Sequence, residues 1–590
     1  MITLDYKNKE SLAGGIAHCW HSWNSQRVPV MDLWAEIDSY LQATDTSSLE
    51  GGEHFDHKTH IPILGELHED LIAIVYSTLF PHEDWLGWKG FEINAITKQI
   101  RNTMLSYIKQ VHALNGFSKE MRQLVDDLIR YGNCFNMVHY IDKSVKDGDV
   151  FSSNYSGPAN RRISPFDIVF NPTASSFVDT PKIIRSLVSL GEFHDLYKTA
   201  DTETELSKED YTAILEKRNG STLDYSEQFK ENQYIPSGFG SIQEYYNSGS
   251  VEILWFYGDI FDDTTSELHR NRCIAIVDRL YVFMDKEELN PKIFKGSWSP
   301  RPDNLWSQGP LDKVVGINYM INHRENGKND AIDKFIYPDR AYVGDVEEIY
   351  DEVTGHTKYI LPEGGSVQDI RPDSTVLTFD NQIMMHRDLA RQSARLPQQL
   401  MGFKVAGEQT ATEYQGLIDG AFRGFINKTT QFEEDVLEPS VAAELQVALD
   451  NFTSVIKILE EDEQGVLLTQ KVTEDDLKSN GKLIPMGSKR FSRQLQQLQG
   501  LNQLANTNLG TIIGEHLDTF QLAKVVEELY GFDKFNFIKK FRAIDEQVER
   551  EKKSMLAEQE IVGEASQPTL LEEEMAQMED PFGGMSEEPV

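Results

Sequence analysis

Apolar spacing divides the chain into helical and strand-like runs, and one stretch organises the rest. Residues 309–427 read as a helix, a β insert, a second helix, a polar loop and a third helix. The first helix opens at Gly309-Pro310 and runs to about Phe335. Tyr337-Pro338 closes it, because proline cannot continue a helix and pushes its predecessor out of the α region. Val314, Ile317 and Ile321 form its buried stripe, and then Asn322 to Asp330 are nine polar or glycine residues in a row. A helix polar all round for two turns is expected to be leaving the core of its domain. Residues 340–376 carry strand-like runs broken at Gly355 and Gly364-Gly365. The second helix is expected over 380–401. Arg387, Arg391 and Arg395 then share one face over about 12 Å, with Met385, Leu389 and Leu396 as the apolar counter-face. That face is either a contact for another subunit or a nucleic acid, or a solvated face paired with acids such as Asp388. In the third helix Ile418, Phe422, Phe425, Thr429, Phe432 and Val436 recur at spacings of four and three, a packing face. It anchors the loop before it, residues 402–412, which holds two glycines with Phe403, Lys404, Glu408 and Gln409 between two long helices.

The flanking regions mix both kinds of run. Residues 1–60 read as short helical pieces and loops, with a helix over 28–41 that has Pro29 near its start. Helices follow at 64–80, 91–114 and, capped by Ser118, up to Tyr131. A strand-like run covers 134–141, and a short strand sits between Pro165 and Pro172. Residues 183–190 read as a strand or short helix, and the polar stretch 201–238 as a mobile insertion. Residues 251–261 and 273–284 are β-rich and pair as a hairpin. After Leu437 the helix continues past Pro439, two strand-like runs cover 455–459 and 466–472, and three helices follow from Phe491 to about Leu556. The fold class expected is α+β.

Composition narrows the function. The 590 residues carry a formal net charge of -38, which argues against a cationic clamp on nucleic acid. It leaves room for a protein that lets DNA pass without gripping it. Three scattered cysteines, Cys19, Cys134 and Cys273, give no disulfide framework and suit a reducing compartment. No apolar run approaches the roughly 20 residues of a membrane helix, and the first residues do not read as a signal peptide. From Ser554 to Val590 there are ten acidic residues and no basic one, the composition of a disordered tail.

Motifs of catalysis are missing. There is no Gly-rich phosphate loop, no His-Glu-x-x-His helix, no Gly-x-Ser-x-Gly elbow and no pair of Cys-x-x-Cys units. The one metal-like cluster is His54, His57 and His60, with Glu53 and Asp56 beside it. It follows Gly51-Gly52 and reads as a solvated loop, with a metal-dependent hydrolase as the alternative. No cofactor and no catalytic residue is expected.

Two stretches resemble the portal proteins of tailed phages, the head-to-tail connectors, of the podovirus type. The Pro-bounded Ile163-Ser164-Pro165-Phe166-Asp167-Ile168-Val169-Phe170-Asn171-Pro172 is similar to a segment of the portal wing. Ala406-Gly407-Glu408-Gln409-Thr410-Ala411-Thr412-Glu413 is similar to the signature after the second stem helix. The likeness covers roughly residues 90–450. It implies an N-terminal region and wing over 1–308, stem helices at 309–335 and 380–401, and a clip at 336–379. It implies a tunnel loop at 402–413, a wing return at 414–486, crown helices at 487–553 and the acidic tail at 554–590. The protein would be a ring of twelve subunits in the virion, made in the host cytoplasm. Its partners would be the terminase large subunit, major capsid and scaffolding proteins, a tail adaptor and passing double-stranded DNA. Another ring-forming virion component, a tail adaptor or baseplate protein, is the rival. In this reading Phe403, Lys404, Glu408 and Gln409 belong to the tunnel loop. Arg387, Arg391 and Arg395 face the channel or a neighbouring subunit.

Overall fold

The computed structural model describes residues 2–487 outside 50–53, 82–84, 91–94, 148–149, 201–203, 218–249, 289–291, 345–346, 352–355, 361–362, 374–377, 397–423, 453–455, 462–466 and 473–480. The chain divides into two units, Met1–Phe491 and Ser492–Val590. The second unit, with the expected crown helices and acidic tail, lies outside the described residues. The first mixes helices and strands, as the α+β expectation has it.

After β1 (Ile2–Leu4), Asn8 opens α1 (Lys9–Gln42), its side chain accepting from the N–H groups of Glu10 and Ser11. This is one helix of 34 residues, not a short helix starting near Pro29. Proline removes one donor from a helix interior. Here Trp20, Arg27, Met31 and Trp34 are buried on both sides of Pro29, and that packing carries the helix through. α1 feeds three cores in turn. Its first half packs on Leu254, Phe256 and Ile274. Met31 and Trp34 join Phe135, Phe166 and Trp306. Ile37 and Tyr40 enter the largest cluster.

Next come α2 (Ile63–Leu79), β2 (Leu86–Gly90), α3 (Ala95–Asn115) and α4 (Phe117–Tyr131). Left-handed Gly116, not Ser118, stands at the N-cap of α4, and Asn115 Oδ1 accepts from Phe117 N at 2.8 Å. The strand expected over 134–141 is one arm of a long hairpin, β3 (Asn133–Asp147) with β4 (Val150–Ile163). β5 (Ile168–Phe170) is the short strand between the prolines, and Lys182–Ser189 is a strand, β6. A Ser189–Glu192 capping box then starts α5 (Leu190–Thr199), which the hydrophobic pattern had not shown. Within the stretch expected to be a mobile insertion, α6 (Lys208–Lys217) is helical.

The expected hairpin at 251–284 is three strands: β7 (Ser250–Asp262), β8 (Leu268–Val277) and β9 (Tyr281–Glu287). Asp278 and Arg279, both at positive φ, make the second turn. The large sheet has order β5-β6-β7-β8-β9, with β1 parallel to β7. β10 (Ile293–Ser297) adds to β3, and β11 (Ser299–Arg301) with β12 (Asn304–Gln308) leads into the excursion.

Among the described residues the excursion runs helix, β insert and helix in the expected order, and the loop expected at 402–412 lies outside them. A 3-10 turn at Leu311–Lys313 precedes α7 (Val315–Ile336). Four strands follow: β13 (Asp339–Val343), β14 (Glu347–Asp351), β15 (His356–Ile360) and β16 (Ser366–Ile370). The β14–β15 hairpin is nested inside the β13–β16 pair. α8 (Phe379–Ser393) returns. Residues 424–432 are helical and pass through a π turn at Glu433–Leu437 into α9 (Glu438–Asp450). Pro439 brings no N–H, and the π turn before it takes up the break in the ladder. β17 (Ile456–Glu461) pairs with β18 (Leu467–Val472), and β19 (Gly481–Pro485) pairs with β2.

The root of the excursion lies in the largest core. Leu311, Val314, Val315 and Ile321 meet Ala390, Ala394 and Leu396, and all join Phe425, Phe432 and Val441. Gly132 makes this approach possible. It sits at φ 68, and a Cβ there would fall 2.3 Å from Gly309 N.

Candidate functional site

The polar run of α7 does not leave the core. Asn318, Asn322 and Asn326 are 0%, 5% and 1% exposed. They recur every four residues, and Asp330 continues the series, so they form one stripe on the helix. Against that stripe lies the segment 55–61. Asn326 Oδ1 accepts from Thr59 N at 2.8 Å, and Asn322 Oδ1 accepts from Ile61 N at 3.0 Å. Asp330 accepts from the N–H groups of Asp56, at 3.1 Å, and His57, at 2.9 Å. Asn326 Nδ2 also donates to Thr46 Oγ1 at 3.1 Å. The next face is apolar: Phe55 meets the His323 ring edge-on at 4.8 Å and lies over Gly327, where a Cβ would come within 3.4 Å of it. The helix thus offers side-chain amides to a chain segment much as a strand edge offers carbonyls. The burial of Asn322 and Asn326 is offset by these bonds, whereas both amide atoms of Asn318, one turn earlier, find no partner among the described residues.

The histidines are drawn into this contact. His57 Nδ1 is 2.8 Å from Asp330 and Nε2 is 3.3 Å from Asp333. The hydrogen bond to Asp330 raises the imidazole's pKa, and Asp333 adds to it. Burial raises the Asp330 carboxyl, but the backbone and ring of His57 outweigh it and hold the pKa below its ordinary value. His60 Nδ1 is 3.0 Å from Asn322 Nδ2, so Nδ1 is the acceptor, and burial pushes this imidazole down. His54 is exposed. The loop is therefore docked rather than freely solvated. Among the described residues no three His, Cys, Asp or Glu side chains are placed to hold a metal.

α8 presents a different surface. Arg387 and Arg391 lie on the helix, but Ser393 is its last residue. Arg395 sits beyond the end at φ 60, so the expected three-arginine face does not form. The helix stops because Ala394 and Leu396 turn into the core, at 3% and 0% exposure. Arg391 is 3.8 Å from Asp388. Met385 and Leu389 were expected to be a packing counter-face; they are 70% and 49% exposed. α7 and α8 are joined across their polar sides. Lys328 bridges Glu325 and Asp380, both at 2.9 Å. Arg324 Nη1 lies 3.2 Å from His386 Nε2, while His386 Nδ1 donates to Gln382 O at 2.6 Å.

Beyond this root the excursion exposes apolar side chains. Fourteen of the twenty-one exposed large hydrophobics among the described residues fall between Tyr319 and Leu389. They include Ile336 and Tyr337 at the end of α7, Val343, Tyr350 and Ile370 on the β insert, and Met384 on α8. A soluble surface scatters such residues, so this concentration marks a surface to be covered. The loop residues Phe403, Lys404, Glu408 and Gln409 lie outside the described residues.

Sequence reasoning missed the asparagine stripe. It counted the polar run without testing its period, and the four-residue spacing was the available signal. It also missed Arg27, 1% exposed, whose guanidinium holds the Pro-bounded segment by donating to the carbonyls of Pro165, Phe166 and Ile168 at 2.6 to 2.7 Å. Trp20, Arg27, Met31 and Trp34 share one helical stripe, which becomes legible only once α1 is read through Pro29. No protein-family model matches the chain, and no curated protein sequence matches it.

Proposed function

We propose that the chain is the subunit of a portal-type connector ring, through which a phage genome is packaged and ejected. The observation that carries the reading is the excursion. Two antiparallel helices lead out to nested β hairpins and back, and exposed apolar side chains are concentrated along them. Such a surface suits contact with copies of itself arranged in a ring. The reading assigns α7 and α8 to the stem and β13 to β16 to the clip, where terminase and tail adaptor would dock. Capsid and scaffolding proteins would contact the outer body, and the ring would nucleate capsid assembly. The role is structural, without a catalytic step. The charge of -38 supports a channel that repels duplex phosphates and so does not hold passing DNA. Lys404 and Glu408 would moderate that barrier where the loop nears the DNA.

Electron microscopy of the purified protein, with native mass spectrometry, tests the ring. One closed oligomer with an axial hole is the expected result. A protein that stays monomeric even when co-produced with its capsid and scaffolding partners counts against the reading. In a packaging assay, Lys404→Glu and Glu408→Arg should change DNA packaging or retention; unaltered packaging would remove the loop from the mechanism.

A further inference from the structure

The chain has far more acids than bases, 95 against 57. A place where cations gather without acids is therefore unexpected. A cavity of about 750 Å³ beside β6, β8 and β10 does not qualify, since its wall holds five basic and five acidic side chains. A smaller one does. About 100 Å³ in volume, it lies at the root of the excursion and is lined by Lys313, Arg395 and Lys428, with no carboxylate among the described residues. Ser299 and Ser393 add hydroxyls, and Trp298 and Phe425 form apolar wall. Its lining comes from four separate parts of the chain: Trp298-Ser299 before β12, the entry to α7, the exit from α8 and the helical residues 424–428.

We propose that this pocket binds a phosphate-type oxyanion. Lys428 is held in place by donating to Trp298 O, with its ammonium 5.9 Å from the Trp298 ring centroid. Its remaining donors are free to serve a ligand. Arg395 stands at φ 60, a conformation that side chains other than glycine adopt at a cost. That position holds it on the pocket wall instead of along the α8 face. Burial lowers the Lys428 amine, and repulsion from Arg395 and Lys313 lowers it further. Among the described residues no carboxylate forms an ion pair with any of the three. Asp312, next to Lys313, does not line the pocket and accepts from Gly309 N at 3.0 Å. A guanidinium, two ammonium groups and two hydroxyls around so small a volume match the charge and size of one tetrahedral oxyanion. The anion would relieve the repulsion and tie together the chain segments that meet there. This inference does not depend on the portal reading.

Phosphorus NMR of inorganic phosphate, titrated with the full-length protein at constant ionic strength, is the test. Saturable line broadening is expected, reversed by sulfate. Lys313→Gln with Arg395→Asn should weaken it by at least about tenfold. Both residues are exposed, and asparagine tolerates the left-handed backbone, so the variant keeps the fold. Arg395→Lys should restore part of the affinity. Displacement of the phosphate by a duplex without terminal phosphates assigns the site to a phosphodiester; no displacement assigns it to a free oxyanion. Broadening that never saturates, or that the double variant leaves unchanged, overturns the proposal. A carboxylate of this chain already seated in the pocket would give that first result.

Discussion

The two helices of the excursion are alike in polarity along the sequence and opposite in fate. α7 buries its polar stripe, and α8 leaves Asp388 and two methionines in solvent with its arginines half-buried. The difference lies in which polar groups each carries and what they meet. An asparagine amide is short and neutral, with one acceptor and two donors, so its burial is offset once backbone partners complete its bonds. The segment 55–61 supplies those partners, because its N–H groups have little strand pairing beyond the single bridge of Thr59 to Asp45. Arginine cannot lose its charge, and burying it without a full set of acceptors costs several kcal/mol. Arg27 in α1 meets that condition through three carbonyls and Asn24. On α8 both arginines stay half-buried, and Arg387 Nε is left without a hydrogen-bond partner among the described residues.

The largest way to break this contrast is to make α7 apolar where it is buried. Asn326→Leu leaves the N–H of Thr59 and the hydroxyl of Thr46 without their partner at a site 1% exposed. The expected loss is about 3 kcal/mol of unfolding free energy, read from the midpoint of a urea transition at constant slope. Asn322→Leu should cost less, about 1 to 2 kcal/mol, because the partners it strips, Ile61 N and the half-buried His60 ring, lie at a less buried site, 5% exposed. If both variants matched wild type, the stripe would be incidental to the docking of 55–61.

Titration separates the two histidines, which have opposite signs. His57 has a raised pKa in the folded protein, so its contribution is complete below its ordinary value of 6.5 and is lost as pH rises through the folded value. His60 has a lowered pKa, so its contribution is complete above 6.5 and is lost as pH falls through the folded value. The partners of His57 are Asp330, Asp333 and Asp56; those of His60 are Asn322, the Tyr40 backbone and Asp45. His57→Gln should leave a protein that loses stability on acidification near neutrality. His60→Gln should leave one that loses stability as pH rises. Denaturation midpoints between pH 5 and 8 measure both slopes, and parallel curves for the two variants would break the assignment.

Much of the excursion was legible from the chain. Proline and glycine punctuation located its helices and hairpins, since those residues act locally. What the chain concealed was non-local. Whether Asn322 to Asp330 faced water depended on a segment more than 260 residues earlier. Ser189 started a helix that its short length and single buried phenylalanine hid from periodicity. The end of α8 was lost for a related reason: Ala394, Leu396 and the residues to 401 continue a helical pattern, and only the core's demand for Leu396 shows the turn.

That turn yields the smallest effect. Arg395 holds φ 60, at a cost of about 1 to 2 kcal/mol for a residue with a Cβ. Arg395→Gly removes the strain but adds chain entropy to the unfolded state, about 0.5 to 1 kcal/mol. The net expectation is a gain of about 0.5 kcal/mol in phosphate-free buffer, seen as a small rise in Tm. In saturating phosphate the sign should reverse, because the variant has lost one of the three cations around the pocket while wild type is stabilised by the bound anion. A gain of the same size in both buffers would mean that the left-handed arginine is only a turn residue. A loss in both would mean that its guanidinium supports the root of the excursion without any ligand.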